Sequence, residues 1–376
     1  MEEWRKYKLA DITIMKNGKK RPQGEGVYPV YGGNGIMDYS NDYNAQETII
    51  VGRVGAYCGC VYKCDGKCWV SDNAISVTAR NMIDFHFLFY LMRTLDFHHH
   101  HIGGAQPLMT QDIIGDFVVS IPSLSIQKQI VSIFNSLDDK IEVNKRINDN
   151  LDQQAKTLFK SWFIDFEPFR DGEFVDSEMG LIPSGWQVKE LGEVTEPQNT
   201  RVKDRTDVKV LSPVTTGELV LSEEYFSKQV FSESIAKYII VKPFDFAYNP
   251  ARVNIGSLGM STFDFDGCVS PVYVVFRCED NYQYFFDLFR QTDYFKEEVK
   301  TRAIGGVRQT LGYKDFSLIK VVYPPKVVVE EFNKIYSTLL SKKAKNNVEI
   351  TRLGELRDIL LPKLMSGELK VSEMNA

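Results

Sequence analysis

Long apolar runs are missing from this chain. No stretch approaches the roughly 18 apolar residues that a membrane-crossing helix requires. The start, Met1-Glu2-Glu3-Trp4-Arg5-Lys6, lacks the apolar core of a signal peptide, so a cytoplasmic location is expected. Cysteine is scarce, with six in 376 residues and four bunched between Cys58 and Cys68. That spacing in so large a chain excludes a disulfide framework. Positive charge is also short: the net charge is −5 and the pI about 5.7. An unaided nucleic-acid binder is more often basic, although a local basic patch or a basic partner stays open.

Catalytic patterns are lacking too. There is no Walker A lysine, no metallohydrolase histidine pair and no G-x-S-x-G elbow. No glycine fingerprint joins a strand to a helix, and Gly52-Arg53-Val54-Gly55 is too little to count as one. Asn249-Pro250-Ala251-Arg252 has the first two residues of the loop with which adenine methyltransferases grip a base, but not the second proline or the aromatic. We therefore expect no enzyme activity from this chain. The cysteines Cys58, Cys60, Cys64 and Cys68 could hold zinc as thiolates. No matching set exists elsewhere, so we read them as small core residues and expect no metal site. The run His98-His99-His100-His101 reads as a solvated helix end.

What is present is an internal repeat. Gly103-Gly104 begins a stretch that matches, without a gap, one beginning at Gly305-Gly306, which is an offset of 202. Under it Gln106 faces Arg308, Pro122 faces Pro324, Leu137 faces Leu339 and Asn144 faces Asn346. The half-starts match at a shorter offset of 182, with Trp4 and Leu9 over Trp186 and Leu191. The middles therefore differ by an insertion of twenty residues. Like ends around unlike middles suggest one device addressed to two targets.

The pattern along the chain reads as α+β. Short strands are expected at Val27–Tyr31, Thr48–Val51, Ala74–Thr78 and Asp116–Pro122. Val61–Lys63 and Trp69–Val70 flank Cys64–Cys68 as a hairpin would. A helical pattern covers 85–97 and recurs at Phe285–Phe295. In the second half, strands are expected at Val208–Leu211, Tyr238–Val241, Ser270–Phe276 and Ile319–Val322.

From about Ile126 to Phe163 apolar residues recur every three or four positions, which is coiled-coil periodicity. A twin runs from about Val328 to Met365. At 1.5 Å per residue each spans roughly 60 Å. Neither can bury its stripe alone, so the two should pack on each other. Asn144 and Asn346 hold equivalent seam positions, either fixing register or lying on the wet edge. The domains follow: a globule 1–124, a helix 125–166, a linker 167–185, a globule 186–326, and a helix with its tail 327–376.

Groups suited to reading DNA remain. Lys19, Lys20 and Arg21 sit in a basic turn fit for phosphates, or simply solvated. Gly33-Asn34 marks a turn. Arg53 follows a strand and a glycine, where a guanidinium can project towards guanine. Arg252 holds the matching place in the second half, with Asn254 shortly after it. Asp72-Asn73 and Ser270-Pro271 follow similar strands. Gln106 and Arg308 correspond, and Thr215, Thr216 and Arg302 complete the second set.

These features together resemble the specificity subunit of type I restriction-modification systems, over essentially the whole chain. The resemblance is carried by Tyr31-Gly32-Gly33-Asn34-Gly35, Trp69-Val70-Ser71-Asp72-Asn73-Ala74 and Gly103-Gly104-Ala105-Gln106-Pro107. Pro122 before Gln127-Lys128-Gln129, Ile182-Pro183-Ser184-Gly185-Trp186 and Leu360-Leu361-Pro362-Lys363-Leu364-Met365-Ser366-Gly367 continue it. The second half departs from the pattern at Val307-Arg308-Gln309 and lacks Gln-x-Gln before its helix. The resemblance implies two target recognition domains, each reading one half of an asymmetric split DNA site. It implies an antiparallel coiled coil acting as a ruler, with two methyltransferase subunits docked on it. It implies that S-adenosylmethionine, ATP and magnesium belong to partner subunits, including up to two restriction subunits, and that this chain carries no cofactor. The isolated chain is expected to be a monomer closed by its own helices. The rival readings are a self-sufficient DNA methyltransferase and a decoy or scaffold that shares the docking helices without binding DNA.

Overall fold

The computed structural model describes residues 4–103, 107–226, 228–303 and 310–374. The fold is mixed α+β and divides into two compact units. One holds Met1–Arg146 with Lys345–Ala376, and the other Ile147–Ala344. Both divisions fall inside the two longest helices, Leu124–Phe163 and Lys326–Ser366. Among the described residues no helix is long and apolar enough to cross a membrane.

The first unit opens with strand Arg5–Lys8, paired antiparallel with Val118–Ile121. One helical turn, Leu9–Ile12, buries both of its apolar ends and leads into strand Thr13–Asn17. That strand edges a six-stranded sheet, in the order 13–17, 74–79, 45–52, 61–70, 28–32, 35–40. Helix Phe85–Arg93 covers the sheet. Its N-cap Asp84 accepts from the backbone N–H of His86 and Phe87 at 2.9 and 3.0 Å. Leu361, Leu364 and Met365 from the second long helix join this core with Phe87, Met92 and Phe134. The chain's two ends thus share one hydrophobic core.

The second unit repeats the opening residue for residue. Strand Gln187–Glu190 pairs with Lys320–Tyr323, and a helical turn, Leu191–Val194, leads into strand Thr195–Gln198. Beyond that opening the units diverge. Here two four-stranded sheets replace the one of six, in the orders 195–198, 274–278, 246–248, 258–260 and 219–221, 209–213, 267–269, 239–241. The core is aromatic, with Phe246 stacked on Phe276 at 5.2 Å and Phe286 edge-on to Phe246 at 4.9 Å. Phe159 and Phe163 of the first long helix complete it.

Within each unit the long helices run antiparallel. In the first, Asp138 meets Arg357 at 2.9 Å and Asn144 meets Glu349 at 2.9 Å. In the second, Asp152 meets Lys343 at 2.7 Å and the Phe163 ring meets Phe332 at 4.9 Å. As one number rises, its partner's falls.

Four local expectations are corrected. Residues 61–70 form one strand, not a hairpin around 64–68. A register shift opposite Gln46–Thr48, with Glu47 at φ 48°, absorbs Asp65-Gly66 as an exposed bulge. Cys64 and Cys68 face the core on either side of it, and burying them outweighs the turn signal. The helix at 85 ends at Arg93, and Phe97–His100 makes a separate 3-10 turn in which Asp96 meets the rings of His99 and His100. The pattern at 285–295 is two helices, Gln283–Phe289 and Asp293–Arg302, because Thr292 caps the second by accepting from Phe295 N–H. Similarly, the 270–276 stretch splits into a turn and the strand Val274–Cys278.

Candidate nucleic-acid interface

Loops at one rim of the first unit converge on few residues. The basic turn is drawn in at Gly18, where an added Cβ would overlap the Ser71 carbonyl. Lys19 N–H donates to Val70 O at 3.0 Å and Lys19 O accepts from the Trp69 indole at 3.2 Å. Lys19 and Lys20 remain exposed above the 71–74 turn. Arg21 differs, because its guanidinium pairs with Asp38 of the neighbouring hairpin. That hairpin turns at Gly33-Asn34, leaving the Asn34 side chain exposed. Its tip meets the end of strand 45–52 at Gly52, where a side chain would collide with the carbonyls of Tyr57 and Gly33.

Arg53 is held from both sides. Its N–H donates to Asn73 O at 2.9 Å, and its carbonyl accepts from Met109 N–H at 2.8 Å. Its guanidinium reaches the Asp72 carbonyl at 3.4 Å. So Gly33, Arg53, Asp72 and Asn73 stand together, with Lys19 tied to the same turn. Gln106 and Arg308 lie outside the described residues.

The second unit builds its rim from the same turn. Tyr273 N–H donates to Ser270 O at 3.0 Å, as Ala74 N–H does to Ser71 O at 3.0 Å. The equivalence expected for Arg252 is shifted, however. Leu311 N–H bonds Pro250 O at 3.0 Å, as Met109 N–H bonds Arg53 O, so Pro250 stands in the place of Arg53. Arg252 lies two residues on, where Asn249 folds the chain in an Asx turn by accepting from Ala251 N–H at 3.0 Å. The Asn249 turn carries the arginine further along the loop. It still faces the corresponding turn: burial pushes the Tyr273 hydroxyl up, and the Arg252 charge works against that shift.

Asn254 sits in the 3-10 turn Val253–Ile255, and Gly256 packs onto the Thr215 carbonyl. Thr216 donates to Glu218 at 3.0 Å. Arg302 is engaged by Glu298 one turn back on its own helix, at 2.9 Å. Sequence reasoning missed a cavity of about 410 Å³ beside these loops, to which Lys156, Lys296 and Lys300 contribute. The 296/300 spacing was a legible signal, since it puts both on one helix face. Arg290 closes the floor, donating to Asp287, Leu258 O and Gly217 O, each within 2.9 Å.

The cysteines are packing residues here. Cys58 lies in the main core of the first unit, and Cys64 and Cys68 in a smaller cluster with Tyr31 and Val70. A hydrogen bond from Cys68 draws the Cys64 thiol down to about 7 and pushes Cys68 up. Among the described residues no group of three or more metal-binding side chains converges.

Residues 1–153 match the family described as the type I restriction modification DNA specificity domain. The type I restriction enzyme MjaIX specificity subunit of Methanocaldococcus jannaschii is 26% identical over 77% of this chain and 70% of its own length. Over these stretches the chain is similar to type I specificity subunits. The HindI specificity subunit of Haemophilus influenzae is 25% identical over 71% of this chain and 72% of its own length. The fold agrees with this. The type I system S subunit from M. genitalium superposes with a TM-score of 0.60, at 14% identity, over 97% of this chain and 96% of that one. The matched 1–153 segment ends within the first long helix, so it takes in the whole first rim.

Proposed function

We propose that this chain is the DNA-reading subunit of a type I restriction-modification complex and carries no catalytic activity itself. Each unit reads one half of a split, asymmetric DNA site through its rim. The long helices set the spacer and dock two methyltransferase subunits, and restriction subunits join that assembly. S-adenosylmethionine, ATP and magnesium act in those partners.

One observation carries the reading. A single frame, repeated in both units, presents two differently built rims, each with an arginine beside the same four-residue turn. A split recognition element needs that combination, because the frame must be addressed by like partners while the rims distinguish unlike half-sites. The Asn249-Pro250 pair supports it too. Its amide oxygen is occupied in forming a turn, which disfavours the rival reading as a methyltransferase. The acidic balance is tolerable because partners supply phosphate contacts.

The test is a genome-wide map of N6-methyladenine in the native cell, with and without the gene. Loss of one split motif with a fixed spacer is expected. An unchanged map, with the methyltransferase partner bound and active, would leave the decoy reading standing instead.

A further inference from the structure

The cavity in the second unit opens beside its rim, whereas a loop beside the first rim is closely packed. There, Gly59 at the matching loop lies flush against Phe97 and His98, so close that a Cβ would stand 2.9 Å from His98 N. In the second unit the chain continues into helix Asp293–Arg302 instead, and about 410 Å³ opens between that helix, the 215–217 loop and the 253–256 turn. That volume lies in the range of about 300–1,000 Å³ that holds nucleotide-sized ligands.

Its lining is cationic in a chain of net charge −5. Lys156 projects from the first long helix, exposed, and has no ion-pair partner among the described residues. Lys296 and Lys300 lie one turn apart on the 293–302 helix. Their partners Asp293 and Glu297 are 3.8 and 2.6 Å away but lie on the same helix and are well exposed, so water and salt loosen both pairs. Thr215, Thr216 and Asn254 line the same space. Three ammonium groups around a concave, open site are the chemistry of phosphate recognition.

We propose that this cavity seats a phosphate group, and that its source is the DNA strand passing the Arg252 rim. The inference rests on the reading of this unit as a DNA reader. The second unit then holds DNA by an electrostatic clamp as well as by its base-facing loop. In the first unit the exposed Lys19 and Lys20 take that part.

The experiment uses the full chain in its complex with the methyltransferase partner. Affinity for a labelled duplex carrying the mapped motif is measured against potassium chloride concentration. Each phosphate neutralised contributes about 0.9 to the slope of log K on log salt. The triple variant Lys156→Gln, Lys296→Gln, Lys300→Gln is expected to flatten that slope by about 1 to 2 and keep its sequence preference. Lys156→Gln alone should shift it the same way, which covers a triple variant that folds poorly. Lys237→Gln, exposed elsewhere on the second unit, should leave it unchanged.

Equal slopes for wild type and the cavity variants would overturn the proposal. So would an equal change in Lys237→Gln, which would make the effect general charge loss. Calorimetry with adenosine triphosphate separates the sources: tight binding to wild type but not to the triple variant, with DNA slopes unchanged, would overturn the strand and assign a free nucleotide. A wild-type complex with no sequence preference would sink the proposed function, and the salt slope on any duplex would still test the cavity.

Discussion

The two units agree where the chain enters and leaves them and disagree in between. Leu9 N–H bonds Phe117 O at 2.9 Å, and Leu191 N–H bonds Ile319 O at 2.9 Å. Thr13 bonds back to Leu9 O at 2.6 Å, and Thr195 to Leu191 O at 2.7 Å. Trp4 packs against Gly367 at the end of the second long helix, while Trp186 packs at 6.0 Å on Phe163 near the end of the first. Between these fixed points one unit folds a single sheet of six strands and the other two sheets of four. The frame is held by backbone groups that must be paired whatever the side chains are. The exposed side chains of the rims carry no such obligation, so they are free to differ.

Even the frame meets one demand by different means. The Pro122 carbonyl accepts from Gln127 at 2.9 Å, and the same buried amide serves Met82 O and Asp84 N–H. In the second unit Val329 takes that position, and the Pro324 carbonyl accepts from the Tyr282 hydroxyl at 2.9 Å. Asn333, one turn further along, donates to Asn281 O at 2.7 Å. Gln127→Leu should therefore have the largest effect on stability. It leaves one N–H and two carbonyls without partners in a site with no exposure, at a cost of about 3 kcal/mol. Urea titration of the full chain should show the first unit unfolding earlier. An unshifted midpoint would mean the two units do not depend on this joint.

Next come the rims. Arg53→Ala and Arg252→Ala should each weaken one half-site by about 10- to 100-fold, in line with about 1–3 kcal/mol for a bidentate contact to guanine. Complex assembly should survive, because neither side chain enters a core. Methylation of substrates altered in one half-site at a time distinguishes the two. If both variants damaged the same half-site, the comparison between rims would break.

The frame was legible because its signals are local and repeat. Trp4, Leu9, Pro122 and the apolar stripe recur at fixed offsets, and a long stripe permits no fold but helix pairing. The rims were legible only in part. Arg53 and Asp72-Asn73 were found because they follow strands whose period is plain. The Arg252 displacement was not readable, since it depends on a hydrogen bond from Leu311, far along the chain. Cys64-Asp65-Gly66 was misread because a bulge and a turn use the same residues, and only the partner strand decides between them. The cavity escaped for a similar reason: Lys156, Thr215 and Lys296 come from three separate segments.

Tyr282→Phe is a smaller test of the same frame. Removing one hydroxyl from the Pro324 carbonyl should cost about 1 kcal/mol, less than Gln127→Leu because a single bond is lost. The stacking of Tyr282 on Tyr323 at 4.4 Å is kept in the variant. A loss as large as that of Gln127→Leu would show that the two joints are not built from unequal parts.

The smallest effect on stability is expected at the helix seam, where the repeat itself is uneven. Asn144 is 1% exposed and donates to Glu349, whereas Asn346 is only half-buried. Asn144→Leu removes a bond to a carboxylate, worth about 1.5–3 kcal/mol. It returns about 1.5–3 kcal/mol by burying an apolar side chain. The net change should stay within about 1 kcal/mol, and less still is expected for Asn346→Leu at its wetter position. Stability is therefore the wrong readout for a register residue. Light scattering after size exclusion is the right one: wild type should run as a monomer, while Asn144→Leu should add a dimer in which helices have exchanged between chains. A variant that stays wholly monomeric would place the specification of pairing elsewhere, in the Asp138–Arg357 and Asp152–Lys343 ion pairs, each of which ties the same two helices in its own unit.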